Sequence, residues 1–284
     1  MSETTRPAAG AGTIRIGELT VNRLAFGAMR VTGPGVWGKP KDPPGMLRLL
    51  TRAFELGHSF FDTADSYGPD VSENLIAEAL HPYPVELVIG TKGGFVRPNR
   101  SWAPDGRPEH LRSALEGSLK RLRLERIDLY QLHTPDPRVP FVESVGALSE
   151  LQKAGKIRHI GLSSVSLRQL EQARRIVEVV SVQNRYSIDD RGSDDVLTAC
   201  EASGIAFIPW YPLGAGRALH SSRVKRVAEQ HRATPAQVAL AWLLARSPVM
   251  VPIPGTGSIN HLEENAAAAQ LKLAPADMAA LERA

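Results

Sequence analysis

The sequence contains almost no cysteine: Cys200 is the single one in 284 residues. An intramolecular disulfide is therefore excluded, and this usage is typical of a chain that stays in a reducing compartment such as the cytoplasm. Cys200 lies among apolar residues of a predicted helix, so we interpret it as a packing residue and not as a nucleophile.

Long apolar segments are also missing. No run approaches the roughly 18 apolar residues that a membrane-spanning helix needs. The first twelve residues lack the apolar centre of a secretion signal. We interpret residues 1–12 as a short disordered lead to one domain at residues 13–284, and we expect a cytoplasmic protein without membrane contact.

A large excess of charge of one sign is absent as well. The 34 Lys and Arg residues nearly balance the 30 Asp and Glu residues, for a formal net charge of +4. The basic cluster from Lys120 to Arg126 lies at the end of a predicted helix, where cations complement the helix dipole. A nucleic-acid-binding protein carries a much stronger basic patch, so we expect no nucleic-acid partner.

Short apolar runs alternate with amphipathic segments along most of the chain. A hairpin around Gly17 and Glu18 is predicted first. Eight strands are predicted after it, at residues 24–27, 59–62, 87–91, 127–133, 158–162, 179–183, 206–210 and 250–253. Helices are predicted between them, at residues 44–56, 72–80, 108–122, 141–154, 167–176, 194–203 and 235–245. This alternation predicts βαβ units and a parallel sheet.

Eight such units fit a closed α/β barrel, the (β/α)8 TIM barrel, better than an open doubly wound sheet. The G-x-G-x-x-G motif of dinucleotide-binding open sheets follows none of the predicted strands. We expect the N-terminal hairpin to cover the bottom of this barrel.

Ionisable residues follow three neighbouring predicted strands. Asp62 ends the second strand and Tyr67 lies in the loop after it, Lys92 follows the third strand, and His133 ends the fourth. Active sites of such barrels lie at the C-terminal ends of the strands, so the four side chains are predicted to share one rim. Each has an ordinary structural explanation when taken alone, but their combination favours a catalytic site.

These residues form a chemically coherent set. An unperturbed tyrosine has a pKa of about 10, which is too high for efficient proton transfer at neutral pH. We predict that Lys92 lowers the pKa of Tyr67, that Asp62 holds Lys92 in place, and that His133 orients the substrate oxygen. The set would stabilise an alkoxide that develops from a carbonyl group. No H-E-x-x-H motif is present, and we expect no metal site.

Three segments resemble the signatures of the aldo-keto reductase superfamily. They are Phe61-Asp62-Thr63-Ala64-Asp65-Ser66-Tyr67-Gly68, Thr91-Lys92-Gly93-Gly94 and Ile127-Asp128-Leu129-Tyr130-Gln131-Leu132-His133. The resemblance runs from about Leu24 to Asn265 and implies that Asp62, Tyr67, Lys92 and His133 form the family's catalytic tetrad. Residues 27–38 and 104–108 resemble a bacterial branch with pyridoxal-reducing members, so pyridoxal is a candidate substrate.

The resemblance also implies an NADPH site without a Rossmann fold. Gly161-Leu162-Ser163-Ser164 is similar to the family's G-x-S-N segment, which with Gln183 holds the nicotinamide amide; Ser164 replaces the asparagine. Trp210 takes the position of the aromatic ring that stacks on the nicotinamide. Further implied cofactor contacts near the strand ends are Ala28, Met29, Asp62, Tyr211, Pro212, Leu213, Gly214 and Gly216.

Residues 254–265 resemble the family's adenosine-phosphate segment. The implied contacts are Gly255, Thr256, Gly257, Ser258, His261, Glu264 and Asn265. Many relatives carry Lys and Arg where this chain has Gly257 and Ser258. An anion here would rely on backbone amides at a helix N-terminus and on nearby polar side chains. NADPH remains the expected cofactor, with NADH second.

Trp37 and Trp102 lie in predicted rim loops and are predicted to line the substrate pocket, although packing within the loops explains them equally well. We expect an enzyme that reduces a small aldehyde or ketone with NADPH, as a monomer or a small homo-oligomer. Two alternatives stay open: a non-catalytic, nicotinamide-binding accessory subunit, and a barrel isomerase or aldolase that uses Lys92 as a Schiff base.

Overall fold

A parallel β-sheet forms the centre of the fold. The computed structural model describes residues 6–282. Its strands are β1 (Thr13–Ile16), β2 (Leu19–Asn22), β3 (Phe26–Gly27), β4 (Phe60–Asp62), β5 (Val88–Gly93), β6 (Phe95–Val96), β7 (Ala103–Pro104), β8 (Ile127–Leu132), β9 (Ile157–Ser163), β10 (Val179–Arg185) and β11 (Ala206–Trp210). Seven of them pair in parallel in the order β3-β4-β5-β8-β9-β10-β11, so spatial neighbours are also successive barrel strands along the chain.

The eighth side of the barrel is the extended segment at residues 249–254. Phe207 of β11 exchanges two backbone hydrogen bonds with it, each of 2.8 Å. On its other side, amides beside and within β3 donate to the carbonyls of Pro252 and Pro254 at 2.9 and 3.4 Å. Prolines have no N–H to return such bonds, so this segment closes the barrel without a regular strand ladder. The predicted barrel is confirmed, and its eighth strand is irregular.

Helices surround the strands. Residues 6–282 contain α1 (Pro43–Glu55), α2 (Val71–Leu80), α3 (Pro108–Leu122), α4 (Phe141–Lys153), α5 (Leu167–Ala173), α6 (Asp194–Ser203), α7 (Ser222–His231), α8 (Pro235–Arg246), α9 (Ile259–Ala267) and α10 (Pro275–Glu282). Local signals explain several starts: Asp42 caps α1, and Ser166 and Thr234 form capping boxes before α5 and α8. All seven predicted helices are present. The predictions missed α7 and α10, and they gave no bounds for α9, although the adenosine-phosphate segment implied a helix N-terminus there.

The N-terminal hairpin of β1 and β2 covers one end of the barrel. Gly17 adopts a positive φ of 63° in its two-residue turn, as such hairpin turns require. Ile16 and Val21 are buried in the cluster that fills the barrel interior, together with Ala25, Phe60, Val88, Leu129, Val180, Ala206, Ile208, Val251 and Ile253. Several of these residues lie at strand starts, so the hairpin covers the bottom of the barrel, as predicted.

The segment before the hairpin differs from the disordered lead that we predicted. Residues 1–5 of that lead lie outside the described residues. Pro7–Ala11 form a 3-10 helix in which Ala8 is buried and its amide donates to Leu56 O at 3.0 Å. Gln270 also donates to Pro7 O at 3.0 Å. The segment is ordered because it docks on the end of α1 and on the C-terminal region, contacts that composition alone does not show.

No helix within residues 6–282 combines the length and the apolar character that crossing a membrane requires.

Candidate active site

A buried ion pair lies at the C-terminal ends of β4 and β5. Lys92 Nζ donates to Asp62 Oδ1 at 2.5 Å and to Thr63 O at 2.9 Å. The two charged side chains are 0% and 2% exposed. Burial acts to lower the pKa of Lys92, but Asp62 and Tyr67 act more strongly in the other direction and the pKa is raised. Lys92 therefore remains a cation, which a Schiff-base lysine must not be.

The second oxygen of Asp62 is also fully engaged. Gln131 Nε2 and Gln183 Nε2 donate to Asp62 Oδ2 at 3.0 and 2.8 Å. Gln183 was predicted to contact the cofactor, and Gln131 was not predicted as a site residue. A signal for Gln131 did exist: it is two residues after Leu129, which faces the barrel interior, and alternate residues of a strand share a face. A polar residue at such an interior position needs a polar partner, which here is Asp62.

Tyr67 lies directly beside this ion pair, in the loop after β4. Its side chain is 7% exposed, and Lys92 Nζ lies 5.2 Å from the centroid of its ring. The His133 ring is nearly perpendicular to the Tyr67 ring, with centroids 5.8 Å apart. The structure therefore brings together Asp62, Tyr67, Lys92 and His133. These are the four residues predicted to share one rim because they follow neighbouring strands.

The pKa of Tyr67 moves in the direction opposite to our prediction. Burial raises the pKa, Lys92 acts to lower it, and Asp62 adds to the rise, so the net direction is upward. The main cause is burial, which disfavours the charged phenolate; Asp62, which pairs with Lys92 at 2.5 Å, also opposes the effect of Lys92 on the phenol. Tyr67 therefore keeps its proton at neutral pH, which suits a group that donates the proton during a reaction.

His133 is a neutral imidazole at neutral pH. Burial lowers its pKa well below the ordinary value, and the charge of Lys92 lowers it further. Its Nδ1 lies 3.4 Å from Ser66 Oγ, whereas its Nε2 makes no hydrogen bond to any described residue. A neutral ring in this position can donate one hydrogen bond to a substrate oxygen.

Aromatic rings form a wall next to Tyr67 and His133. Trp102 is 41% exposed, and its ring centroid lies 6.3 Å from that of Tyr67 and 6.2 Å from that of His133. The ring centroid of Phe95, a residue that was not predicted as part of the site, lies 4.7 Å from that of His133. Trp37 forms a backbone bridge to Gly68, the residue after Tyr67. Both predicted rim tryptophans are thus close to the four central residues.

Residues of the predicted nicotinamide site lie at the ends of β9, β10 and β11. Ser163 is buried, and Ser164 is exposed with a positive φ of 59°. Gln183 uses its amide nitrogen on Asp62, while its Oε1 accepts no hydrogen bond from a described residue. Trp210 is half-buried, and its Nε1 is buried without a hydrogen-bond partner in the described part of the chain. A buried, unpaired N–H such as that of Trp210 fits a ligand that brings its own polar groups.

The other predicted cofactor residues follow strands that are neighbours in the closed barrel. After β11, the exposed Tyr211 and the glycines at 214 and 216 adopt positive φ values of 54°, 58° and 92°, with Pro212 and Leu213 between them. After β3, the buried Ala28 and the half-buried Met29 begin a 3-10 helix.

The predicted adenosine-phosphate segment lies against the end of β3. The backbones approach so closely that a Cβ on Gly255 would lie 2.7 Å from Gly27 O. Ser258 caps α9 by accepting from the His261 amide, and Thr256 Oγ1 accepts from the Ser258 amide at 3.0 Å. The remaining predicted contacts are Gly257 and His261, which are exposed, Glu264, which is half-buried, and Asn265, which is buried.

Comparison with known proteins shows to which family the chain belongs. The sequence pattern of the Aldo/keto reductase family matches residues 23–284. The chain belongs to this family. This aldo/keto reductase is 48% identical over 278 residues to an uncharacterized oxidoreductase of Schizosaccharomyces pombe, covering 97% of the chain and 90% of that relative. It is also 43% identical over 277 residues to pyridoxine 4-dehydrogenase of Escherichia coli, covering 95% and 97%.

A solved structure supports the assignment of the fold. The aldo-keto reductase from Klebsiella pneumoniae in complex with NADPH superposes with a TM-score of 0.82 at 27% sequence identity. The match covers 95% of this chain and 93% of the other. The barrel of this aldo/keto reductase therefore corresponds to the family fold over nearly its whole length.

Proposed function

We propose that this aldo/keto reductase reduces an aldehyde or a ketone to an alcohol with NADPH, and that Tyr67 is the general acid. The observation that best supports this proposal is the position of the protonated Tyr67 beside the buried Lys92–Asp62 pair and the neutral His133. These groups lie at the end of the barrel where such enzymes place their chemistry.

The residues around this site fit a nicotinamide cofactor. Gln183 Oε1 and the hydroxyls of Ser163 and Ser164 would hold the nicotinamide amide, and Trp210 would stack on its ring. The turn at residues 211–216 and the segment at residues 255–265 would hold the phosphates and the adenosine. When bound, NADPH supplies the hydride that reduces the carbonyl carbon.

The side chains then provide the proton and hold the substrate. His133 Nε2–H donates a hydrogen bond to the carbonyl oxygen and keeps it next to the Tyr67 hydroxyl. As the oxygen becomes an alkoxide, it is a stronger base than a phenolate and takes the Tyr67 proton. Lys92 stabilises the resulting phenolate, and Asp62 holds Lys92 in place. Solvent returns the proton to Tyr67, so one hydride and one proton convert the carbonyl into the alcohol.

Pyridoxal is the substrate we propose first. The relative that is 43% identical is a pyridoxine 4-dehydrogenase, and pyridoxine and pyridoxal differ by oxidation of an alcohol to an aldehyde. The wall formed by Phe95 and Trp102 fits a flat aromatic ring, because aromatic rings pack favourably edge to face or offset.

The proposal is tested by NADPH oxidation at 340 nm against a panel of carbonyl compounds that includes pyridoxal. Tyr67→Phe should bind NADPH normally, as measured by fluorescence titration, and lose at least about 100-fold in kcat, the contribution typical of general acids. Tyr83→Phe is the matched control, since the Tyr83 hydroxyl donates to Leu122 O outside the site.

Each other outcome has a definite meaning. Full activity of Tyr67→Phe would show that another group supplies the proton. Tight NADPH binding without turnover of any carbonyl would favour the non-catalytic accessory role. Equal or tighter binding of NADH would overturn the cofactor assignment.

A further inference from the structure

Arg97 is a buried cation on the rim of the site. It is 8% exposed, and no carboxylate of residues 6–282 lies within ion-pair distance of its guanidinium. Arginine is almost never buried to this extent without a paired charge. Arg97 lies beside the residues that surround Tyr67, and the contacts of its guanidinium indicate its role.

The guanidinium bonds only to backbone carbonyls. Nε donates to Ser101 O at 3.1 Å, Nη1 to Val36 O at 3.0 Å and to Ser66 O at 3.1 Å, and Nη2 to Arg100 O at 3.1 Å and to Gly35 O at 3.4 Å. An arginine has five N–H donors, so every one of them is used. These carbonyls belong to three rim segments that are far apart in the sequence.

One of the carbonyls belongs to the catalytic loop itself. Ser66 O is part of the peptide group that joins Ser66 to Tyr67. The hydroxyl of the same Ser66 lies 3.4 Å from His133 Nδ1. Arg97 therefore holds the peptide immediately before the proposed proton donor, in a residue that also contacts the imidazole proposed to orient the substrate.

Arg97 also packs against the aromatic wall. Its guanidinium carbon lies 3.7 Å from the ring centroid of Trp102 and 5.5 Å from that of Trp37. A guanidinium over an indole face is a favourable cation–π contact. This contact holds the Trp102 ring next to Tyr67 and His133 while leaving part of that ring exposed.

We propose that Arg97 is a positioning residue that fixes the Ser66–Tyr67 peptide and the Trp102 ring in one arrangement, so that a planar aromatic aldehyde stacks at Trp102 with its oxygen between Tyr67 and His133. This inference rests on the proposed reductase function and assigns its substrate class. Displacement of the peptide lowers kcat for every aldehyde, whereas displacement of Trp102 raises KM only for aromatic ones.

The test compares Arg97→Ala and Arg97→Lys with wild type, on benzaldehyde and on propanal. We expect kcat of Arg97→Ala to fall for both substrates by up to about 100-fold, the cost of a displacement of about 1 Å at a reacting group. KM should rise for benzaldehyde alone. Arg97→Lys should recover little, since an ammonium has only three donors and no planar face. The dissociation constant of NADPH, measured by fluorescence titration, should stay within about twofold.

Lys153→Ala is the control. Lys153 is an exposed cation at the end of α4, and its side chain makes no hydrogen bond or ion pair with the described part of the chain. Its removal should change kcat and KM by no more than about twofold, as for an ordinary surface substitution.

Two results would overturn the inference. Wild-type kcat and KM on both aldehydes in either Arg97 variant would refute it and leave the reductase function intact. An equal rise in KM for both substrates, with kcat unchanged, would also refute it. If Arg97→Ala does not fold, the kcat and KM of Arg97→Lys on the two aldehydes test the inference instead. Failure of the wild-type protein to reduce any carbonyl would instead overturn the proposed function, and this inference with it.

Discussion

Removal of Lys92 should destabilise the fold as well as abolish catalysis. Lys92 Nζ and Asp62 Oδ1 are 2.5 Å apart, and both side chains are buried. At an effective dielectric constant of about 20, Coulomb's law gives roughly 7 kcal/mol of attraction at this separation. Desolvation offsets part of it, and breaking a buried pair on one side costs about 3–5 kcal/mol. For a chain of this size, that loss lowers the melting temperature by about 10 °C.

A double-mutant cycle isolates the interaction. Lys92→Met leaves the Asp62 carboxylate buried without its cation, and Asp62→Asn leaves the ammonium without its anion. The double variant leaves neither charge unpaired, so it should lose less free energy of unfolding than the two single variants added together. Thermal and urea unfolding followed by far-UV circular dichroism measure all four proteins.

The matched control is an exposed ion pair of similar length. Arg112 Nη2 lies 2.6 Å from Glu150 Oε2, but these side chains are 48% and 64% exposed. Arg112→Met should therefore cost less than about 1 kcal/mol. The reasoning is refuted if the double variant loses as much free energy of unfolding as the two single variants added together, to within about 0.5 kcal/mol, because independent sites behave in this way.

Two further predictions concern residues outside the tetrad. Burial lowers the pKa of His58 to about 4, so His58 is neutral in the folded protein and protonates more readily in the unfolded chain. The free energy of unfolding is therefore unaffected by His58 above about pH 6.5, the pKa of an ordinary histidine. It falls by about 3 kcal/mol as the pH decreases toward 4. His58→Gln should flatten this part of the profile of melting temperature against pH, and an unchanged profile would contradict the assignment. Ser164 has a left-handed backbone, which asparagine tolerates well and β-branched residues do not. Ser164→Asn should therefore raise stability by less than about 1 kcal/mol and tighten NADP+ binding, whereas Ser164→Val should destabilise by about 1–2 kcal/mol; equal melting temperatures of the two variants would count against this explanation.

Much of the architecture follows from local sequence patterns. Alternating apolar runs and amphipathic segments require a parallel sheet with helices outside it, and eight units close it into a barrel. The predictions failed where local signals were weak. The eighth segment contains Pro252 and Pro254, which prevent a regular ladder. The polar helix α7 buries only three residues, Val224, Val227 and Ala228, so its apolar stripe is short although its spacing is helical.

The grouping of Asp62, Tyr67, Lys92 and His133 was also predictable from the sequence. Parallel strands point in the same direction, so residues that end neighbouring strands must meet at one rim regardless of the details of packing. The chemical roles of these four residues follow from their types and stay predictions until activity is measured.

Other features depend on contacts between segments that are distant in the sequence. The pKa of Tyr67 rises because burial and Asp62 outweigh Lys92, a balance that depends on distances and solvent exposure. Gln131 and Arg97 likewise have partners that no local pattern identifies, since the Asp62 carboxylate on Gln131 and the Ser66 carbonyl on Arg97 come from another strand and another loop. The sequence alone therefore determines which chemical groups meet at the rim, whereas their protonation and exact positions depend on how the folded chain buries and pairs them.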